Sequence, residues 1–119
     1  MLNLSSIMIG SDDPKTLGEF YQKVFDKKPD WKDGDWSGFQ SGSCHVTIGL
    51  HSEVKDKAKE PQRLILNFET KDVEGEFKRI EKLGAKVIAK PYTIEGMEGH
   101  IATFADPDGN FFQLMLPMK

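Results

Sequence analysis

Residues 104–110 read Phe104-Ala105-Asp106-Pro107-Asp108-Gly109-Asn110, and the apolar-rich run Phe111-Phe112-Gln113-Leu114-Met115-Leu116 follows directly. Aspartate, proline, glycine and asparagine are typical of tight turns, because proline fixes φ and glycine accepts positive φ. The residues on both sides of this turn have strand composition. The stretch therefore predicts two strands, His100 to Phe104 and Phe111 to Leu116, that a tight turn joins in antiparallel order.

The segment before these strands predicts a strand, a helix and a second strand. Residues 63–69 alternate with Leu64, Leu66 and Phe68 on one side, which is typical of a strand. Asp72 suits a helix N-cap and Gly84 suits the C′ position, and between them lies an apolar helical stripe of Val73, Phe77, Ile80 and Leu83. Residues 86–89 form a short predicted strand, and residues 91–99 are expected to be a loop.

The same order occurs in the first half of the chain. Residues 2–9 predict a strand, and Asp13-Pro14 predicts a helix start that places proline at the first helical position. The helix carries an apolar stripe and ends near residues 27–29. Two further strands are predicted at 36–40 and 44–51, with Ser41-Gly42-Ser43 as the turn. The stripe consists of Leu17, Phe20, Tyr21, Val24 and Phe25.

The two halves therefore predict an α+β protein built from one duplicated unit. Their first strands begin about sixty residues apart, and the charged segment 52–61 is the best candidate for a linker. We expect module one over about 1–57 and module two over about 62–119. A parallel Rossmann-type sheet would need more crossover helices and is disfavoured.

Three predicted strands have one uniformly apolar face and one mixed face. In 44–51 the mixed face carries His45, Thr47, Gly49 and His51, while Cys44 shares the apolar side. In 63–69 and 111–116 the mixed faces carry Ile65, Asn67 and Glu69, and Phe111, Gln113 and Met115, respectively. Polar groups among a few large apolar ones suit a ligand cavity, but an antiparallel sheet with its polar side in water shows the same pattern.

Composition and charge disfavour several classes of function. The chain has 119 residues, with 16 basic and 19 acidic side chains and a net charge of −3. It has no basic patch for nucleic acid, and no apolar run of the ~20 residues that a membrane span needs. A lone Cys44 and the lack of a leader pattern at the first residues fit the cytoplasm.

The motifs resemble those of the glyoxalase, bleomycin resistance protein and extradiol dioxygenase group, also called the vicinal oxygen chelate superfamily. The resemblance rests on the turn 104–110 with Gln113-Leu114, on 68–73 with the helix pattern after it, and on Phe20-Tyr21 and Val24-Phe25. It implies two βαβββ modules that form a curled mixed sheet around a cavity, and a homodimer. It also implies metal-ligand positions at about Ser6, Gly49, Ile65 and Gln113.

Those four positions depart from the family pattern of His, Glu or Gln ligands. Glycine and isoleucine side chains donate nothing to a metal, and serine is a poor neutral ligand, so only Gln113 retains a suitable oxygen. His45 and His51 share a face but lie ~20 Å apart along a strand, too far to hold one ion. We therefore predict no metal and no other cofactor, although His51 with Glu69 or His100 leaves a divalent ion geometrically feasible.

The first hypothesis is a protein that binds a small organic molecule on the mixed face without metal, by analogy with bleomycin resistance proteins. The alternative is a metal-dependent lyase, isomerase or dioxygenase with relocated ligands, and a third interpretation is an interaction module with a filled cavity. Trp31, Trp36, Phe39 and Tyr92 could supply flat cavity walls for a planar or aromatic ligand, although Trp36 and Phe39 could equally fill the core or a dimer interface. The predicted ligand-binding residues are Ser6, Trp36, His45, Thr47, Asn67, Tyr92, Phe111, Gln113 and Met115.

Overall fold

The order strand, helix and three strands occurs twice along the chain. The computed structural model describes residues 1–93 and 101–117. The chain divides into two compact units, Met1–Asp56 and Lys57–Lys119, and the predicted α+β fold with two βαβββ modules is confirmed. The first unit contains β1 (Ser6–Ser11), α1 (Pro14–Phe25), β2 (Trp31–Asp33), β3 (Trp36–Ser41) and β4 (Cys44–Leu50), and the second contains β5 (Leu66–Glu69), α2 (Val73–Lys82), β6 (Lys86–Tyr92), β7 (Ile101–Ala105) and β8 (Phe111–Met115).

The first sheet has the strand order β1-β4-β3-β2, with β1 parallel to β4 and the other pairs antiparallel. Helix α1 covers its apolar face. Phe39, on β3, is fully buried, and its ring lies 5.2 Å from that of Phe25. The apolar stripe of α1 therefore supplies the core, as predicted, and the buried side chains around Phe39 are Leu17, Tyr21, Val24, Val46 and Ile48.

The second sheet repeats this arrangement with the order β5-β8-β7-β6 and a parallel β5–β8 pair. Helix α2 buries Val73, Phe77 and Ile80. The ring of Phe77 stacks 5.1 Å from that of Phe104, which stacks 5.5 Å from Phe112 on the next strand. These aromatic contacts join the helix to the two central strands of the sheet.

Side-chain hydrogen bonds fix both helix starts and the β7–β8 turn where the sequence predicts them. The carboxylates of Asp13 and Asp72 accept hydrogen bonds from Thr16 N (3.3 Å) and Gly75 N (2.9 Å), so both are N-caps. Asp106 Oδ1 accepts from the backbone N–H groups of Asp108 and Asn110, both at 2.9 Å, which closes the β7–β8 turn. No helix in the described part of the chain is both long and apolar enough to cross a membrane.

Several predicted boundaries were wrong. Strand β1 begins at Ser6 and not at Leu2, because its partner β4 begins at Cys44, and Leu2 is fully exposed. Strand β5 likewise begins at Leu66. The loop prediction over 91–99 fails for Pro91 and Tyr92, which belong to β6, an edge strand whose register is irregular between Ala89 and Tyr92, and proline is tolerated at such positions. Residues 94–99 of that loop, and His100, lie outside the described residues.

The sequence prediction also missed β2. It pairs with β3 across the two-residue turn Gly34-Asp35, and Gly34 has the positive φ (59°) that such a turn requires. Its three residues are all exposed, so it has no apolar alternation to detect. The missed strand carries Trp31 and Asp33 into the first sheet.

Candidate functional site

The face of the first sheet that points away from α1 is called here the first mixed face. Strand register places His45 beside Ser6 and Gln40, and Thr47 beside Met8 and Gly38. The prediction that His45 and Thr47 share a face opposite the core is therefore confirmed. The strand residues of the first mixed face are Ser6, Met8, Gly10, Trp31, Asp33, Trp36, Gly38, Gln40, His45, Thr47 and Gly49.

Two rings meet above Gly38 at the centre of this face. Trp31 Nε1 donates a 2.9 Å hydrogen bond to His45 Nε2, and the two ring planes are within 8° of each other. A Cβ added at Gly38 would overlap both of these nitrogen atoms. Trp31 on β2 therefore reaches across β3 to His45 on β4 only because position 38 has no side chain.

The hydrogen bonds of His45 define its tautomer. An indole N–H only donates, so His45 Nε2 must be the acceptor and carry no proton. His45 Nδ1 lies 3.1 Å from Gln40 Oε1, and the amide nitrogen of Gln40 donates to Gly42 O at 2.8 Å. Since Gln40 presents its oxygen to the ring, Nδ1 carries the proton. The contacts thus correspond to the Nδ1–H tautomer, with both ring nitrogens engaged.

Gln40 is itself fixed by a charged pair at the sheet edge. Its backbone N–H donates to Asp30 Oδ2 at 2.6 Å, and Lys27 Nζ donates to the same oxygen at 2.8 Å. The Lys27 hydrogen bond, followed by that from Gln40 N, holds the pKa of Asp30 below its ordinary value. Lys27 Nζ also donates to Gln40 O at 2.6 Å, so the charged pair clamps both backbone polar groups of Gln40.

The indole of Trp36 fills the space above a second glycine of this face, Gly49. A Cβ added at Gly49 would overlap the six-membered ring of Trp36. Gly49 is itself buried, whereas Trp36 is half-buried. Three aromatic rings therefore cover the first mixed face above Gly38 and Gly49. We call Trp31, Trp36 and His45 the ring platform.

The second sheet brings together most of the other predicted site residues on its own mixed face, away from α2. Asn67 pairs with Gln113, Phe111 with Ala105, and Met115 with Ile101. Tyr92 pairs with Ile101 from the other side and is exposed. Gln113 Nε2 donates to the buried Thr103 Oγ1 at 3.0 Å, which orients the amide and leaves its oxygen as an acceptor.

A cleft of about 190 Å³ lies on the opposite side of the first sheet, between α1 and the β2–β3 hairpin. Trp36 and Ser37 line it together with Gly18 from the helix. Its charged rim includes Asp35, which lies in the turn between β2 and β3. The remaining lining residues are Pro14, Lys15, Glu19, Gln22, Pro29, Lys32 and Gly34.

Sequence reasoning listed Trp31 only as a flat side chain and missed its bond to His45. The available signal was Gly34-Asp35 between Asp33 and Trp36, a pair typical of a two-residue hairpin turn. Phe39, which the sequence also offered as a cavity wall, is a core residue beneath the sheet. The role of Gln40 had no signal in the sequence, because it depends on a contact between Gln40 on β3 and His45 on the neighbouring strand β4.

Two βαβββ modules, each with a helix on one face of its sheet and a mixed opposite face, define the vicinal oxygen chelate class of proteins. The chain belongs to the glyoxalase-like domain family, whose model matches residues 6–115. No curated protein matches the chain significantly.

Solved structures of similar fold carry several names. A glyoxalase-related enzyme from Fulvimarina pelagi is 16% identical and has a TM-score of 0.79, covering 98% of this chain and 89% of that one. A glyoxalase/bleomycin resistance protein/dioxygenase family enzyme from Burkholderia phytofirmans PsJN is 22% identical, with a TM-score of 0.75 and coverage of 95% and 97%. The fosfomycin resistance protein FosX from Mesorhizobium loti is 20% identical, with a TM-score of 0.70 and coverage of 99% and 92%. At these identities the likeness shows the fold alone.

The residues at the four positions that the resemblance assigns to metal ligands do not fit a transition metal. Gly49 has no donor, and the space that a donor side chain would enter there holds the Trp36 ring. Ile65 is a hydrocarbon, Ser6 offers a neutral hydroxyl, and Gln113 alone offers an amide oxygen. Zinc, nickel and iron sites require three or more nitrogen, sulfur or carboxylate ligands. Within the described residues, no three His, Cys, Asp or Glu side chains cluster in an alternative site.

Proposed function

We propose that this protein binds a small planar organic molecule on the first mixed face, without a metal ion at the four family positions. The observation that carries the proposal is the ring platform, in which indoles and an imidazole occupy the spaces above Gly38 and Gly49. Aromatic side chains offer large, rigid contact area at low entropic cost, and flat ligands stack on them. A ring fixed by hydrogen bonds and glycine contacts needs little reorganisation on binding.

The surroundings of the platform support the same function. Trp31 keeps 41% of its surface exposed, and the flexible Met8 on β1 keeps 59%. Ser6 and Thr47 supply hydroxyl groups next to His45 and Gly38, respectively. Apolar area with a few polar groups is the usual composition of a small-molecule site.

The predicted contacts of the second mixed face remain a separate proposal. On that face Asn67 and Gln113 would orient the polar end of an amphipathic molecule, while Phe111, Met115 and Tyr92 would supply apolar area. The homodimer also remains a proposal, which sedimentation of the purified chain would test.

Two measurements test the proposed function. Elemental analysis of protein purified without chelator should give far less than one transition metal per chain. A thermal-shift screen with planar heterocycles should then yield compounds that stabilise the wild type and lose about tenfold or more in affinity for Trp31→Leu or Trp36→Leu. An exposed apolar residue of the second unit, Leu64, provides the matched control as Leu64→Ala, which should leave binding unchanged.

About one tightly bound metal per chain would favour the alternative, a metal-dependent lyase, isomerase or dioxygenase with relocated ligands. Compounds that bind the tryptophan variants as tightly as the wild type would place the site away from the ring platform.

A further inference from the structure

The strand residues of the first mixed face include an acidic side chain but no lysine or arginine. Among them, Asp33 is the only one with a carboxylate. Asp33 pairs with Trp36 across the β2–β3 hairpin and lies two residues from Trp31 on the same face. It is exposed and makes no hydrogen bond or ion pair with the residues that the structure describes.

The basic residues of the first sheet point elsewhere or are already paired. Lys32 lies between Trp31 and Asp33 on β2, so strand alternation turns it to the opposite side, where it lines the cleft beside α1. Lys27 is bound to Asp30 and to Gln40 O at the edge of the sheet. A positively charged ligand on the ring platform therefore meets one free carboxylate and no amino group from these strands.

We propose that the ligand is a planar organic cation, such as an N-alkylated heteroaromatic ring. This inference rests on the proposed function and names the chemical class of its ligand. The negative face of an indole attracts a cation within about 6 Å of the ring centroid, and tryptophan is the strongest of the aromatic side chains in this interaction. The carboxylate of Asp33 adds to that attraction, and no lysine or arginine of the strand residues on this face opposes it.

A pair of matched probes separates charge from shape. N-methylquinolinium and quinoline have nearly the same planar outline, but at pH 8 only the first is charged. The chain has two tryptophans, so the binding of each probe is followed on two indole N–H signals in a ¹H–¹⁵N spectrum, assigned with Trp31→Phe. We expect N-methylquinolinium to shift both signals and to bind about tenfold more tightly than quinoline.

Two charge variants complete the test. Asp33→Asn should weaken N-methylquinolinium about three- to tenfold and leave quinoline unchanged. Asp35→Asn removes the same charge two residues away, in the turn that lines the cleft beside α1 and outside the strand residues of the first mixed face, and should change neither affinity. The unaltered dispersion of each variant's spectrum shows that it has folded.

The outcomes distinguish the inference from the function on which it rests. If both probes shift the indole signals with equal affinity, or if Asp33→Asn leaves the cation unaffected, the ligand class is wrong and the platform remains a binding site. If neither probe shifts the indole signals, both the cation inference and the proposed ring-platform site are overturned.

Discussion

Gly49→Ala is the substitution that tests most directly how the ring platform is built. Gly49 has no positive φ, so its backbone is open to alanine, and the three atoms nearest to the added methyl group all belong to the Trp36 ring. Overpacking of this kind costs about 1–3 kcal/mol, because the ring or the strand must move. With Trp36→Ala in the same chain the obstacle is gone, and alanine should stabilise the strand relative to glycine by about 0.5–1 kcal/mol.

The two effects have opposite signs, so the coupling free energy between positions 36 and 49 should be about 1.5–4 kcal/mol. Urea unfolding of the wild type, both single variants and the double variant measures it. The signal should be far-UV circular dichroism, because Trp36→Ala alters the fluorescence directly. The reasoning is refuted if Gly49→Ala has the same free-energy cost with and without the indole.

Three further predictions concern the core, the charged clamp and the tautomer. Phe39→Ala should lower the unfolding free energy by about 3–5 kcal/mol, because the side chain is fully buried. Leu64→Ala, at an exposed site, should change it little. Equal losses of unfolding free energy in urea would contradict the assignment of Phe39 to the core. The lowered pKa of Asp30 implies a stabilisation that is present above the ordinary value of 3.8 and is lost as the pH falls through the folded-state pKa. Asp30→Asn should therefore reduce the loss of unfolding free energy that the wild type shows on acidification. If the unfolding free energies of wild type and variant fall in parallel with pH, the Lys27–Asp30 interaction is disproved. Nitrogen-15 spectra at pH 8 should show His45 protonated at Nδ1 and bare at Nε2, with Trp31→Phe removing this preference; a proton on Nε2 in the wild type would contradict the Trp31 hydrogen bond.

Local chemistry explains why most of the fold could be predicted from the sequence. Asp13-Pro14 and Asp72 begin their helices through side-chain caps, and the Asp106 turn closes through bonds within five residues. Such signals do not depend on the rest of the chain. Leu2 and Leu4, by contrast, have strand-like composition but remain exposed, since β4 offers no residues opposite them.

The site was predictable only in part, because its geometry depends on contacts across strands. Alternation alone placed His45 and Thr47 on one face. The Trp31–His45 hydrogen bond further requires the missed β2, its register against Gly38, and the absence of a side chain at that position. None of these three conditions has a periodic signal in the sequence, so the ring platform had to be found in the structure.

Gly49 connects the aromatic character of the first mixed face to the poor fit of the family ligand positions for a metal ion. At Gly49 the missing side chain removes a donor from a family ligand position, and the same absence provides the space that the Trp36 ring occupies. The two properties therefore have one steric origin. A donor side chain restored at position 49 would collide with the indole before it reached a metal, and Ile65 and Ser6 would still provide no strong ligand. A flat organic molecule requires neither change, because the rings above Gly38 and Gly49 already provide a surface for it.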